Sequence, residues 1–139
     1  VFLIDTNVLV DLANPHGEWK DWSAQALGDA MRTGPVAINP IIYAELSVAY
    51  DAIEVLDDAL DILGVARLPL PYEAGFLAGH AFLAYRRAGG LRTSPLPDFY
   101  IGAHAAVENL AVITRDPRRV RAYFPSVRLI NPEGGEAKL

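Results

Sequence analysis

The sequence predicts an α/β fold, a central and mostly parallel sheet of five strands flanked by helices. Three observations carry that expectation. Short apolar runs alternate along the chain with longer segments of helical period. The connections between them are short, so each helix serves as a crossover between parallel strands. At 139 residues the chain suits one domain with a substantial core. That domain is expected over residues 1–130, with a polar tail over 131–139.

Val1-Phe2-Leu3-Ile4 is a buried-strand pattern, and residues 6–13 read as a helix directly after it. Asn14-Pro15-His16-Gly17 is a turn. Residues 18–33 are helical, with Trp19, Trp22, Ala26, Leu27 and Ala30 at helical spacing. The two tryptophans read as packing residues rather than a base-stacking platform. Pro35-Val36-Ala37-Ile38 is a second strand, and Asn39-Pro40 opens a helix to about residue 50 as cap and first-turn proline.

Residues 51–63 form an amphipathic helix with Ile53, Leu56, Leu60 and Leu63 as the apolar stripe. Its acidic residues Asp51, Glu54, Asp57, Asp58 and Asp61 fall in helical phase, which marks a solvated face and not a cation site. Residues 65–70 read as a third strand stopped by Pro69 and Pro71. Residues 72–88 read as a helix ended by Gly89-Gly90. The stretch 89–97 is the most loop-like internal segment. A helix over 98–109 follows, rich in small residues (Gly102, Ala103, Ala105, Ala106) that permit close packing. A strand over 111–114, a short helix over 117–123 and a strand over 127–130 complete the domain.

Composition narrows the function classes. A hydrophobic fraction of 52% with 21% charged residues fits a soluble globular chain. No apolar run approaches the 18 or so residues of a membrane span. Asp5 arrives too early for a signal peptide, and a chain beginning on Val1 is expected to lack its initiator methionine or a short leader. The absence of cysteine excludes disulfides and thiolate metal sites and fits a cytoplasmic protein. The net charge of −5 is unevenly spread: residues 1–85 carry −9 and residues 86–139 carry +4. Eight of the nine C-terminal bases are arginines, whose forked donors match phosphate geometry; a solvated basic face is the alternative.

In a parallel α/β sheet, ligands bind beyond the carboxyl ends of the strands. Asp5 ends the first strand after four apolar residues, where a charge is costly unless solvated in a cleft or bound to a cation; capping the following helix is its other role. Asp116 follows the strand ending in Thr114 and precedes Pro117, and Asp98 follows Pro97, so both also read as helix caps. Glu45 lies mid-helix among Ile41, Ala44, Leu46 and Ala49, where capping does not account for it. Converging carboxylates repel one another unless a cation neutralises them. Oxygen ligands without a His or Cys cluster favour Mg2+ or Mn2+. His16, His80 and His104 lack zinc-ligand spacing, and His104 reads as a packing residue.

Asp5-Thr6-Asn7 after a terminal strand, Glu45 on a helix, Asp98 opening Asp98-Phe99-Tyr100-Ile101-Gly102-Ala103-His104-Ala105, and Thr114-Arg115-Asp116 after a strand together resemble the PIN-domain ribonucleases. The spacing and length are most similar to the VapC-type toxins of toxin–antitoxin pairs. The resemblance spans residues 1–130. It implies a PIN-like three-layer sandwich and Mg2+- or Mn2+-dependent endonucleolytic cleavage of RNA. It also implies a homodimer, a small antitoxin that blocks the pocket, and no membrane partner. The expected catalytic set is Asp5, Glu45, Asp98 and Asp116, with Asp5 and Asp98 the main metal ligands and Glu45 and Asp116 supporting them directly or through water. Thr6, Asn7 and Thr114 are placed to orient those carboxylates, or to make local caps. Arg115, Arg118 and Arg119 are candidates for holding the RNA backbone, or for a surface role.

Other readings fit less well. A haloacid-dehalogenase-type phosphatase needs a second acid where this chain has Asn7, and a receiver domain needs a central phosphorylatable aspartate that is absent here. A dinucleotide-binding enzyme would carry a glycine-rich turn after the first strand. The competing classes are a binding module that uses the acidic pocket for partner recognition, and a PIN nuclease of RNA processing.

Overall fold

The computed structural model describes residues 1–92 and 96–133. Part of the expected 89–97 loop and most of the expected tail lie outside those residues. Strands β1 (Phe2–Ile4), β2 (Val36–Ile38) and β4 (Ala111–Ile113) are buried at every position, which is what unbroken apolar runs encode when a sheet is covered on both faces. With β3 (Ala66–Arg67) and β5 (Leu129–Ile130) they form one sheet in the order β3-β2-β1-β4-β5. Every pairing is parallel, with Leu3 opposite Ala37 on one side and Val112 on the other.

Both edge strands are shorter than expected. At β3 only Ala66 and Arg67 pair, and the Leu68 amide adds one bond to the Ile38 carbonyl at 2.8 Å. Pro69 and Pro71 have no amide to extend the ladder. At β5 the Val127 amide is spent on the Phe124 carbonyl, so pairing starts two residues later than the pattern suggests.

Among the described residues seven helices flank the sheet: α1 (Thr6–Leu12), α2 (Lys20–Thr33), α3 (Pro40–Ser47), α4 (Ile53–Leu63), α5 (Tyr72–Arg87), α6 (Pro97–Glu108) and α7 (Arg118–Tyr123). Asn39 caps α3 as expected, its Oδ1 accepting from the Ile42 amide at 3.0 Å, with Pro40 in the first turn. The helix ends at Ser47 and not near residue 50, because Ala49 and Tyr50 turn back onto the Leu46 and Ser47 carbonyls. Gly64 and Gly89, at φ 81° and 96°, end α4 and α5 in the left-handed region that favours glycine.

The apolar stripe of α4 needs correction. Leu56 and Leu60 are buried, whereas Ile53 is 60% exposed and Leu63 lies at the surface. The packed part of α4 is centred on Leu56 and Leu60, so both ends carry apolar side chains into solvent. Its acidic face is no cation site: Asp57 accepts from the Tyr43 hydroxyl at 2.7 Å, and Arg67 bridges Asp57 and Asp61. Trp22 packs on the core, while Trp19 sits just ahead of α2, outside the helix. Phe99 of α6 is fully buried and meets Phe82, Tyr85 and Tyr123 edge-on, locking α5, α6 and α7 together. Asn131, expected to open a polar tail, is itself buried, and its Oδ1 accepts from the Glu133 amide.

The chain moves outward from β1 through β2 to β3, then returns to the other side of β1 to lay down β4 and β5. The switch point of a parallel sheet, where a crevice opens at the carboxyl ends, therefore lies between β1 and β4. No helix among the described residues is long and apolar enough to cross a membrane.

Candidate active site

Asp5 immediately follows β1 at this switch point, and its amide continues the ladder to the Ile113 carbonyl at 2.9 Å. It occupies the cap position of α1 without making a side-chain cap. The carboxylate instead faces β4: the Thr114 hydroxyl donates to its Oδ2 at 2.7 Å, and Asn7 Nδ2 donates at 3.3 Å. Burial pushes the Asp5 carboxyl up to about 6; the Thr114 hydrogen bond opposes this, and the negative charges of Asp98 and Glu45 add to it.

The other three acids come from different elements. Glu45 projects from α3 and accepts from the Thr6 hydroxyl at 2.5 Å. Asp98 is the second residue of α6, past the cap position, so capping does not explain it. Burial raises its pKa, with Arg119 opposing and Asp116 adding to the rise. Asp116 precedes α7, whose cap position is held by Pro117. It pairs through both oxygens with Arg118 at 2.9 and 3.0 Å, and that guanidinium holds its pKa below the usual carboxylate range. The structure thus brings all four acids into electrostatic range as a chain: Glu45 and Asp98 act on Asp5, and Asp116 acts on Asp98.

Thr114 links two of these positions. Its hydroxyl donates to Asp5 and accepts from the Asp116 amide at 3.0 Å. Asn7 Oδ1 accepts from the Arg115 amide at 3.2 Å, and Thr6 serves Glu45. Thr6, Asn7 and Thr114, named from the sequence for this role, each contact an acid or the backbone that carries one.

The three arginines named from the sequence all have partners within the chain. Arg118 holds Asp116, and Arg119 reaches Asp98 at 3.5 Å while lying over the Tyr85 and Phe99 rings. Arg115 is bound elsewhere. Its Nε and Nη2 donate to Asp11 at 2.6 and 3.0 Å, and its guanidinium lies over Trp19. Asp11 is buried and also accepts from Ser23 at 2.7 Å. This clamp joins α1, α2 and the turn that carries Asp116, and sequence reasoning missed it. A signal existed: Asp11 shares a helical face with buried Val8, and Ser23 shares one with Ala26, Leu27 and Ala30.

His104 is fully buried, as expected of a packing residue. Asn39 Oδ1 is occupied by the Ile42 amide, so Asn39 Nδ2 donates to His104 Nδ1 at 3.1 Å. His104 Nε2 then carries the proton and donates to Glu108 at 2.9 Å. The ring ties the start of α3 to α6 and stands apart from the acids.

The donor set fits a hard divalent cation: two half-buried carboxyls with raised pKa values stand near two further acids, and the side-chain hydrogen bonds to the Asp5 carboxylate come from the neutral donors Thr114 and Asn7. The set is not closed: among the described residues no group of three or more His, Cys, Asp or Glu side chains stands ready to hold a metal ion. Asp98 and Asp116 are instead engaged by Arg119 and Arg118.

The family model of the PIN domain matches residues 2–125. Solved structures share the fold. VapBC2 from Rickettsia felis bound to a promoter DNA fragment superposes with a TM-score of 0.70 at 22% identity, over 94% of this chain and 97% of that one. VapBC-1 from nontypeable Haemophilus influenzae gives 0.69 at 16%, over 94% and 96%. A toxin–antitoxin complex from Klebsiella pneumoniae gives 0.63 at 23%, over 95% and 98%. No curated protein matches the sequence.

Proposed function

The chain belongs to the PIN-domain family, and on that premise we propose that it is an Mg2+- or Mn2+-dependent endoribonuclease, the toxin of a type II toxin–antitoxin pair. The observation that carries this reading is Asp5: a half-buried carboxyl at the switch point, raised to about 6, with Asp98 and Glu45 adding negative charge. Such a cluster is unfavourable by itself and favourable around a cation. Asp5 and Asp98 would hold the ion, with Glu45 and Asp116 supporting directly or through water. When bound, the ion would supply water activation, polarisation of the phosphoryl group and stabilisation of the leaving oxygen.

The chain's own residues do the positioning. Thr114 and Asn7 fix the Asp5 carboxylate against β4, and Thr6 fixes Glu45. Arg118 and Arg119 pair with Asp116 and Asp98, and Arg118, with its side chain 83% exposed, would be the one to meet an RNA phosphate. Arg115 is committed to Asp11 and contributes by holding the turn before Asp116. Toxin identity draws on the similar structures, which are VapBC and toxin–antitoxin complexes. With it come an antitoxin partner, a homodimer and a cytoplasmic location as parts of the same proposal.

The test is cleavage of single-stranded RNA by purified protein with Mn2+. Activity should vanish with EDTA and in Asp5→Asn and Asp98→Asn, each shown to be folded by circular dichroism. Cleavage that survives both substitutions sinks the mechanism. Growth arrest on expression, relieved by a neighbouring gene product, separates a toxin from an RNA-processing nuclease. The arginine-engaged acids favour one second reading, a binding module without turnover. That reading requires that Mn2+ titration show no binding lost in Asp5→Asn and that RNA stay intact.

A further inference from the structure

The four acids divide into two pairs with unlike surroundings. Asp98 and Asp116 each carry an arginine of α7: Arg119 donates to Asp98 Oδ2 at 3.5 Å, and Arg118 donates to both oxygens of Asp116 at 2.9 and 3.0 Å. Each guanidinium also acts electrostatically on the other acid of the pair, so these two acids and two arginines form one cluster of zero net charge. The side-chain donors to the other pair are neutral. Asp5 accepts from Thr114 and Asn7, and Glu45 accepts from Thr6. Two negative charges therefore remain at the end of the site formed by β1 and α3, and one divalent cation balances them.

Both arginines are held in place. The guanidinium of Arg119 lies over the Tyr85 and Phe99 rings at 5.5 and 5.9 Å, which keeps it beside Asp98. Arg118 is exposed, but its fork meets both Asp116 oxygens. Only one residue separates Arg118 from Asp116 in the chain, so a displaced guanidinium stays close by. A second metal ion at Asp98 and Asp116 would have to dislodge both cations and would still meet their charge. We propose that Arg118 and Arg119 stand in the place of a second metal ion, so that the RNA-free protein takes a single divalent cation, at Asp5 with Asp98. This deepens the proposed function and rests on its metal-binding part; its readout is the number of ions bound, which is measured without RNA cleavage.

The experiment is a Mn2+ titration of the full chain at neutral pH without RNA, with free Mn2+ followed by electron paramagnetic resonance. The unaltered protein should bind one ion per chain below about 1 mM free Mn2+, and Asp5→Asn should abolish that binding. Arg118→Gln with Arg119→Gln should bind two, and adding Asp116→Asn should remove the second ion alone. Lysine at both positions should return the count to one, which separates charge from the loss of a packed side chain. Circular dichroism checks each fold. Arg118→Gln alone, at an exposed position, should already admit a weaker second ion. Two ions in the unaltered protein overturn the inference and leave the proposed nuclease standing. So does a count of one in both the single and the double glutamine variants, or a count of two in the lysine variant. No bound ion in the unaltered protein overturns both readings.

Discussion

The Thr114 hydroxyl, at the end of β4, donates a 2.7 Å hydrogen bond to the carboxylate of Asp5, 109 residues earlier at the end of β1. The same oxygen accepts from the Asp116 amide, so one side chain sets the spacing of two acids across neighbouring strands. Sequence distance is irrelevant to it, because parallel pairing of Ile4 with Ile113 brings the two strand ends together.

Replacing Thr114 with Val keeps the shape and removes that donor. The hydrogen bond lowers the Asp5 pKa, so its loss should raise it further, and the acidic limb of the RNA-cleavage pH profile should move to higher pH. Stability should fall by about 1 kcal/mol in urea unfolding. An unmoved pH profile would count against Thr114 acting on Asp5.

Asp5 also makes stability pH-dependent. Its folded pKa, about 6, exceeds the ordinary aspartate value of 3.8, so the folded state holds the proton more tightly than the unfolded chain. The associated stability is present below about pH 3.8 and is lost as pH rises through 6. Asp5→Asn should therefore stabilise the metal-free protein at pH 7.5, by about 2 kcal/mol after allowing for partial exposure. The gain should shrink towards zero at pH 4. Thermal melts at the two pH values, without divalent cations, measure it; equal gains at both would refute the assignment.

The Asp11–Arg115 clamp should behave as a unit. Arg115→Ala strands a buried carboxylate and should cost about 2–3 kcal/mol, whereas adding Asp11→Asn should recover part of that loss. A double-mutant cycle in urea gives the coupling, and strict additivity would show the pair to be energetically independent.

Gly102 of α6 packs against the Phe124 ring: a Cβ there would stand 2.4 Å from Phe124 Cδ2. Phe124 is buried and has little room to yield. Gly102→Ala should thus cost about 1–3 kcal/mol, despite alanine's better helix propensity. A rise in melting temperature would contradict the contact.

Much was legible in order. Unbroken apolar runs encode buried parallel strands, and Asn39-Pro40 encodes the start of α3, because these signals are local. The four acids were legible by type and sequence order, with Glu45 marked by its mid-helix place and Asp5 by the strand before it. Edge strands and helix ends were less so. Whether Val127 joins a strand, or Ile53 joins the core, depends on what lies beside it, and periodicity does not report neighbours.

By itself, the sequence determined the alternation of elements, the parallel sheet and the identity of the acids, since each follows from side-chain pattern over a few residues. Only the tertiary structure decided what those acids face. Strand order put Asp5 beside Thr114, burial raised Asp5 and Asp98, and Arg118 lowered Asp116. It likewise paired Arg115, a candidate for the RNA backbone or for a surface role, with Asp11. These outcomes depend on distance and solvent exclusion between residues up to 109 positions apart, quantities that exist only once the sheet has closed.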